Sequence, residues 1–194
     1  MNAPDLPRLI GERLRAARAV RGWSLGHLAD VAGIGKGSLS EIENGTRNPT
    51  LSTLYALANS LGRPMSWLLA EQVGAEVGGP GIATRLLDVS DVDGVTVEVY
   101  AIRLDAGSRH VSDAHGPTVV EHLLVVGGRV AAGVVGAEEV LATGMSTSWV
   151  SDRRHAYQAL GDAPADVVLV IRWRAGRTDI AEGGGGPGAA GPQR

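Results

Sequence analysis

The spacing of apolar residues changes near Glu71, and this change constrains the fold more than any other feature of the sequence. Before it, apolar residues recur every three to four positions, as on one face of a helix. After the glycine-rich stretch EQVGAEVGGPG at 71–81, short runs alternate apolar and polar side chains, which is typical of strands. We therefore expect an all-α domain at 1–70, a linker at 71–82 and an all-β domain at 83–176.

Helical signals in the first part predict five short helices. Ser24 and Thr50 stand where N-caps belong, Pro64 suits the first turn of a helix, and Gly33 and Gly62 suit helix ends. An amphipathic stripe at i, i+3, i+4 and i+7 follows the first cap and consists of Leu25, Leu28, Ala29 and Ala32.

The second part contains several short alternating runs with glycines between them, at 95–100, 122–126, 129–135, 138–142 and 167–173. Such runs without intervening helices favour an antiparallel barrel or sandwich. The tail at 177–194, with the sequence AEGGGGPGAAGPQR at its end, has too few apolar side chains to pack and is predicted to be disordered.

Composition and charge limit the classes of function. The 194 residues include no cysteine, which excludes disulfides, cysteine-ligated zinc sites and thiol catalysis. No stretch approaches the ~20 apolar residues of a membrane span, and the N-terminus does not resemble a signal peptide, so a cytoplasmic protein is expected. The net charge is -3, but residues 1–70 carry eight basic against five acidic side chains. This excess is compatible with phosphate contacts on one face of the first domain.

The segment SLGHLADVAGIGKGSLSEIENGTRNPTLSTLYALANSLG at 24–62 resembles the helix-turn-helix of the lambda-repressor-like (Xre) regulators. The resemblance covers about residues 9–70. It implies that a helix at 36–44 enters the major groove and that Arg18 and Glu43 join the first helix to it. The expected binding partner is therefore a double-stranded DNA operator. A module that binds proteins instead of DNA is the alternative.

The same resemblance assigns DNA-contacting positions, residue by residue, to one surface of the domain. Side chains near the N-terminus of a recognition helix face base edges, and flanking polar residues lie near phosphates. The base-facing positions are Lys36, Gly37, Ser38 and Glu41, and the positions near phosphate are Ser24, Asn44, Thr46, Arg47 and Asn48.

Residues 83–174 resemble the cupins, which form antiparallel jelly-roll barrels. The first cupin motif is matched by Gly107, Asp113, His115, Glu121 and Gly128, with aspartate in place of the first histidine and one extra residue before the glutamate. The second is matched in spacing by Gly144, Val150, Asp152, His155 and Ala159.

The cupin resemblance implies a site inside the barrel, but leaves its occupant open. His115, Glu121 and His155 would hold a divalent metal such as zinc, iron, manganese or nickel. In a pocket without metal, the two histidines would instead bind a small molecule. The expected effector pocket is formed by Asp113, His115, Glu121, Trp149, His155 and Tyr157.

Together these features predict a sequence-specific transcriptional regulator that is not an enzyme. A homodimer formed through the barrels would present two recognition helices to two half-sites. The cupin would bind an unidentified small-molecule effector. Two alternatives remain open at this point: a non-haem metal-dependent cupin oxygenase or epoxidase with an accessory helix-turn-helix, and a barrel that serves only to oligomerise.

Overall fold

A computed structural model describes residues 6–69 and 73–174. The tail predicted to be disordered, 177–194, lies outside the described residues. The first described range contains five helices, as the sequence predicts: α1 Leu6–Val20, α2 Leu25–Val31, α3 Lys36–Glu43, α4 Leu51–Ser60 and α5 Met65–Leu68. Among these helices, none has the length and apolar character that crossing a lipid bilayer requires.

Both predicted N-caps are present. Ser24 Oγ accepts a hydrogen bond from the backbone N–H of His27 at 3.0 Å, and Thr50 Oγ1 accepts one from Thr53 at 3.3 Å. Each bond satisfies a backbone donor that the first helical turn leaves without an intrahelical partner. The apolar stripe of α2 points inward as expected, with Leu28 and Ala29 fully buried.

Helix α1 approaches the C-terminal end of α3 so closely that only glycine fits at position 11. A Cβ atom there would lie 2.5 Å from the carbonyl oxygen of Ile42 and 2.7 Å from that of Glu43. Side chains do not tolerate such distances, so any larger residue would displace α3. Gly11 therefore helps to fix the position of α3.

The second described range forms ten strands in two antiparallel sheets. Their orders are β1-β2-β3-β10-β5-β8 and β4-β9-β6-β7, a jelly roll as the cupin resemblance implies. The bounds are β1 Glu76–Gly79, β2 Ile82–Val92, β3 Val95–Leu104, β4 Arg109–Ser112, β5 Val119–Gly127, β6 Arg129–Val134, β7 Glu139–Ala142, β8 Ser146–Val150, β9 His155–Ala159 and β10 Ala165–Arg174.

Strand β1 lies inside the range 71–82 that glycine content predicts as a linker. It pairs antiparallel with β2, from Glu76 opposite Arg85 to Gly79 opposite Ile82. Strand formation is possible there because pairing with a long neighbour compensates for the low strand propensity of glycine. The predicted domain boundaries themselves stay a prediction.

Burial alternates along β5 and defines the two faces of the larger sheet. Glu121, Leu123 and Val125 point inward and are fully buried, whereas the intervening Leu124 and Val126 are exposed. This alternation places Glu121 in the interior of the barrel.

The helices and the barrel share a continuous apolar core. At their junction, the carboxylate of Glu98 on β3 accepts hydrogen bonds from the backbone N–H of Ser66 at 2.5 Å and from Tyr100 Oη at 3.0 Å. Glu98 is 1% exposed, and burial raises the pKa of its carboxyl above the ordinary value. These bonds tie the N-terminus of α5 to the barrel.

Candidate functional site

Helix α3 presents a polar face to solvent and an apolar face to the core. Lys36, Gly37 and Glu41 are exposed, while Leu39 and Ile42 are fully buried. Three of the four positions expected to face base edges are therefore exposed, and the fourth, Ser38, is half-buried. A major groove is wide enough for one helix with such a face.

Arginine side chains from α1 hold the C-terminal end of α3. Arg18 donates from Nε and Nη2 to the two carboxylate oxygens of Glu43, at 2.7 and 2.8 Å, as the resemblance implies. Arg15 donates from Nη2 to the Glu43 carbonyl at 2.8 Å and to Asn44 Oδ1 at 2.7 Å. The bond to Glu43 raises the pKa of Arg18. A planar guanidinium bound at two points fixes orientation as well as distance, so α3 is set at a defined angle.

Arg47, expected near phosphate, folds back onto α3. Its Nη1 donates to Glu41 Oε2 at 3.0 Å and to Ser38 Oγ at 3.2 Å. Both partners belong to the positions expected to face bases. Three of the predicted DNA-contacting side chains are thus hydrogen-bonded to one another. Because these bonds are exposed, solvent or an anion can replace them.

The remaining predicted phosphate contacts are exposed, but several already have a structural task. Ser24 Oγ caps α2, Thr46 Oγ1 donates to the Glu41 carbonyl at 3.1 Å, and Asn44 Oδ1 accepts from Arg15. Asn48 is exposed next to them in sequence. Ser24 lies at the start of α2, and the other three residues follow the end of α3.

Inside the barrel, His115, Glu121 and His155 bring one ligand atom each within 4.8 Å of one another. The Nε2 atoms of the two histidines lie 3.4 Å and 3.1 Å from Glu121 Oε1, respectively. Both Nε2 atoms are buried without a hydrogen-bond partner. Two unpartnered imidazole nitrogens converging on a carboxylate oxygen fit a divalent ion with nitrogen and oxygen ligands.

Hydrogen bonds orient the carboxylate of Glu121. Its Oε1 accepts from Ser151 Oγ at 2.7 Å and its Oε2 accepts from Tyr157 Oη at 3.1 Å. Burial raises the pKa of Glu121, but the nearby His155 and His115 rings and the hydrogen bond from Ser151 outweigh it and bring the pKa below its ordinary value. Glu121 is therefore deprotonated near neutral pH, and its carboxylate can bind a cation.

The two histidines differ in basicity. Burial lowers the pKa of His115 to about 4, so this ring is neutral near pH 7. Burial also lowers the pKa of His155, but the close approach and negative charge of the Glu121 carboxylate more than compensate and raise it above its ordinary value. A metal ion at this site would compete mainly with the proton of His155.

Aromatic rings enclose the three ligands. Trp149 and Tyr157 lie 5.7 and 5.9 Å from the His155 ring, centroid to centroid, and Tyr55 of α4 stacks on His115 at 4.7 Å. Burial is the main reason why the pKa values of Tyr55 and Tyr157 lie well above their ordinary value. The hydroxyl groups of both tyrosines therefore remain protonated and neutral.

Asp113 differs from the other residues of the predicted effector pocket, and its place in that pocket stays a prediction. Its carboxylate is 84% exposed and lies 3.4 Å from Arg154 Nε, outside the barrel. Strand β4 ends at Ser112, so the chain has already left the inner face when it reaches this position. The other five predicted pocket residues are buried together.

Sequence reasoning missed Tyr55, Asn59, Ser151 and Glu98. Asn59 Nδ2 lies 2.8 Å from His115 Nδ1, although the two residues are 56 positions apart. Ser151 is next to the motif position Asp152 and could have been inferred from a search for hydroxyls beside the ligands. The two residues of α4 gave no such indication, because periodicity shows only that a side chain is buried, not what it contacts.

Comparison with known proteins identifies the family. Residues 14–68 match the helix-turn-helix family HTH_3. The control protein C.SmaI of Serratia marcescens is 32% identical over 68 residues, which is 35% of this chain and 81% of that protein. The chain belongs to the Xre-type helix-turn-helix transcriptional regulators.

Similarity to this family extends beyond the helices. The HTH-type transcriptional regulator SutR of Escherichia coli K12 is 26% identical over 162 residues, covering 81% of this chain and 91% of that protein. The crystal structure of an HTH_3 family transcriptional regulator from Vibrio cholerae is 25% identical, with a TM-score of 0.75 over 87% of this chain and 98% of that one. The Xre regulator described here thus carries its helix-turn-helix and its cupin-type barrel in an arrangement found in a solved structure.

Proposed function

We propose that this regulator binds a specific operator through α3 and that its barrel binds a divalent metal ion as the effector. The observation that carries the first part is the exposed polar face of α3, held at a fixed angle by the Arg18–Glu43 pair. Lys36 extends from its first turn, where a cation can reach a guanine edge or a phosphate. The cytoplasmic location expected from the sequence stays a prediction.

The DNA contacts can be tested by measuring affinity for duplexes selected from a random pool, over a range of salt concentrations. We expect Lys36→Ala to weaken binding about 10- to 100-fold and to relax base preference. Arg47→Ala should weaken binding to all sequences and reduce the salt slope by about one. Arg109→Ala, which removes a barrel arginine paired with Glu138, is the matched control. If both test variants bind like the control, α3 is not the recognition helix.

Support for the metal ion comes from the donor set and its enclosure. Two imidazoles and one carboxylate suit zinc, iron, manganese or nickel. The ligands are at most 8% exposed, and Tyr55 and Asn59 of α4 cover them on one side. A catalytic site must admit a substrate, whereas the ligands of this site are enclosed. The enclosure therefore favours a metal ion that acts as a regulatory effector over one that acts as a catalyst.

Elemental analysis of the purified protein, followed by chelation and titration with Zn²⁺, Mn²⁺, Fe²⁺ and Ni²⁺, tests this site. We expect one ion per chain, and at least a ~100-fold loss of affinity for His155→Ala, because a direct ligand matters more than its hydrogen-bond partners. His122→Ala is the control, since His122 lies beside Glu121 in sequence but is exposed on the opposite face. Equal binding by both variants would refute the ligand assignment.

For the dimer, we propose the outer face of the six-stranded sheet as the interface. Leu124 and Val126 of β5 are 42% and 54% exposed, and the partly buried Val168 and Val170 of β10 lie beside them. At the edge of this apolar face, Arg103 Nη1 lies 2.9 Å from Asp166 Oδ1. Across a two-fold axis, Arg103 of each copy could also pair with Asp166 of the other copy. An exposed apolar face with such a rim suits a second copy of the chain.

A double variant, Leu124→Glu with Val126→Glu, tests the interface. Light scattering should show a dimer for the wild type and a monomer for the variant, and operator affinity should fall because one half-site is lost. Val92→Glu, with Val92 58% exposed at the end of β2, is the control. A wild-type monomer, or a variant that remains dimeric, would contradict this interface.

A further inference from the structure

The DNA-binding half of the chain contributes directly to the surroundings of the metal ligands. Helix α4 places Tyr55 flat against the His115 ring, with centroids 4.7 Å apart and planes inclined by 18°. One turn later, Asn59 Nδ2 lies 2.8 Å from His115 Nδ1. His115 thus has one ring nitrogen facing the helices and the other facing Glu121.

The orientation of the Asn59 amide determines which nitrogen of His115 carries the hydrogen. Asn59 Nδ2 also donates to the carbonyl oxygen of Ala114, at 3.5 Å, and this second bond keeps the NH₂ group turned toward the histidine. An NH₂ donor requires His115 Nδ1 to accept. In a neutral ring the hydrogen then lies on Nε2, which faces Glu121 Oε1 at 3.4 Å.

A ring nitrogen that carries a hydrogen cannot bind a metal. Binding at Nε2 requires the other tautomer, in which Nδ1 carries the hydrogen and needs an acceptor. The Asn59 amide can supply this acceptor only by turning over, so that Oδ1 faces His115 and the bond from Nδ2 to the Ala114 carbonyl is lost.

We infer that Asn59 is a positioning residue for the metal site and that its amide turns over when the ion binds. The inference rests on the proposed metal site and names how that site communicates with the DNA-binding half. Because α4 packs in the same helical bundle as α3, an ion that exchanges the hydrogen bonds of Asn59 changes how α4 is held against the barrel. By thermodynamic linkage, the two effects must then be equal: bound operator DNA changes the affinity for metal by the same factor by which bound metal changes the affinity for operator DNA.

Two substitutions at position 59 should have opposite effects on Zn²⁺ affinity, measured by competition with a chromogenic chelator. Asn59→Leu removes the acceptor and should weaken binding about 10- to 100-fold, as loss of a hydrogen-bond partner to a metal ligand does. Asn59→Asp supplies a permanent acceptor for Nδ1–H and should strengthen binding about tenfold. A purely structural role would weaken binding in both variants.

Control variants separate the hydrogen bond from charge and helix effects. Ser60→Asp adds the same charge one residue further along α4, where the native hydroxyl bonds only within its own helix, to the Ala56 carbonyl. Ser60→Ala removes that bond. Circular dichroism of every variant establishes that it is folded before the titrations are compared.

Nitrogen-15 NMR of the histidine rings gives a direct signature. We expect the hydrogen of His115 on Nε2 without Zn²⁺ and on Nδ1 with Zn²⁺. In the wild type, operator affinity should change when Zn²⁺ is added, and the ratio of the two affinities should approach one in Asn59→Leu.

The outcomes distinguish this inference from the metal site itself. If Asn59→Leu binds Zn²⁺ like the wild type, if Asn59→Asp and Ser60→Asp strengthen binding equally, or if operator affinity ignores Zn²⁺, the role of Asn59 is wrong while the ion site stands. If the wild type binds none of the four ions and His155→Ala changes nothing, the proposed site is wrong and the inference falls with it.

Discussion

Two ion pairs of similar length illustrate how differently the two halves of the chain use charge. Arg47 and Glu41 approach to 3.0 Å on the proposed DNA-binding surface, with side chains 52% and 55% exposed. His155 and Glu121 approach to 3.1 Å in the barrel with both side chains at 0%. The exposed pair is worth little and a phosphate can replace it, whereas the buried pair can be exchanged only for another cation. Burial, rather than distance, therefore decides what each pair can respond to.

The largest effect is expected for a buried ion pair in the helical half, which tests whether burial determines how much such a pair contributes to stability. Glu43 is 4% exposed and paired with Arg18, so Glu43→Ala should reduce the free energy of unfolding by about 3 kcal/mol, because it leaves a partly buried guanidinium unpaired. Urea unfolding measures this loss. Operator affinity should also fall, since α3 loses its fixed angle.

Its control is Glu12→Ala, which breaks the exposed Arg8–Glu12 pair of α1. The two pairs have similar lengths, 3.0 Å here against 2.7 Å for Arg18–Glu43. An exposed pair of this spacing contributes about 0.3 kcal/mol. Equal losses for Glu43→Ala and Glu12→Ala would break the comparison, because burial would then have no effect.

The second test uses pH in the presence of a chelator. Burial holds the pKa of His115 at about 4 in the folded chain, while an unfolded histidine takes up a proton near pH ~6.5. The unfolded state then binds more protons, so stability falls as pH drops from about 6.5 to 4, by about 3 kcal/mol in total.

His155 works in the opposite direction, because its pKa is raised. It adds stability below the unfolded pKa, and this contribution is lost as pH rises through the folded pKa. Urea unfolding at several pH values should therefore show a shallower acid limb for His115→Gln than for the wild type. His122→Gln, which makes the same substitution at an exposed histidine, is the matched control. An identical acid limb in all three proteins would mean that His115 is not held neutral by burial.

The smallest effect is expected at the recognition surface. Glu41→Gln weakens the hold on Arg47, so that its guanidinium can reach phosphate, and affinity for a non-specific duplex at low salt should rise about two- to fivefold. Glu138→Gln, which releases Arg109 on the barrel in the same way, is the matched control. If both variants gain affinity equally, the gain reflects net charge and not the position of Arg47.

Sequence patterns predicted those features of the molecule that are determined locally, within one segment of the chain. Periodicity gave the five helices, caps gave the starts of α2 and α4, and motif spacing brought His115, Glu121 and His155 together correctly. Spacing alone did not show that Asp113 is exposed, because β4 ends one residue earlier.

Contacts between segments could not be predicted in this way. Strand β3 buries Glu98 and Tyr100, while the alternating Val97 and Val99 are only partly buried, because Ser66 at the start of α5 supplies a donor to the carboxylate. Likewise, nothing in the periodicity of α4 shows that Asn59 meets a histidine of the barrel. Such partners become visible only when both halves are placed in space.

The apolar core that runs without interruption from the helices into the barrel has a consequence for how such regulators can be rebuilt. Separate domains can be exchanged between proteins like modules, but here each half supplies part of the other's interior. A chimera that joins these helices to a foreign barrel would expose Tyr55 and leave Glu98 without the Ser66 donor. We expect a single calorimetric transition for the intact chain, and swapped hybrids that melt early or aggregate unless the facing residues are exchanged together.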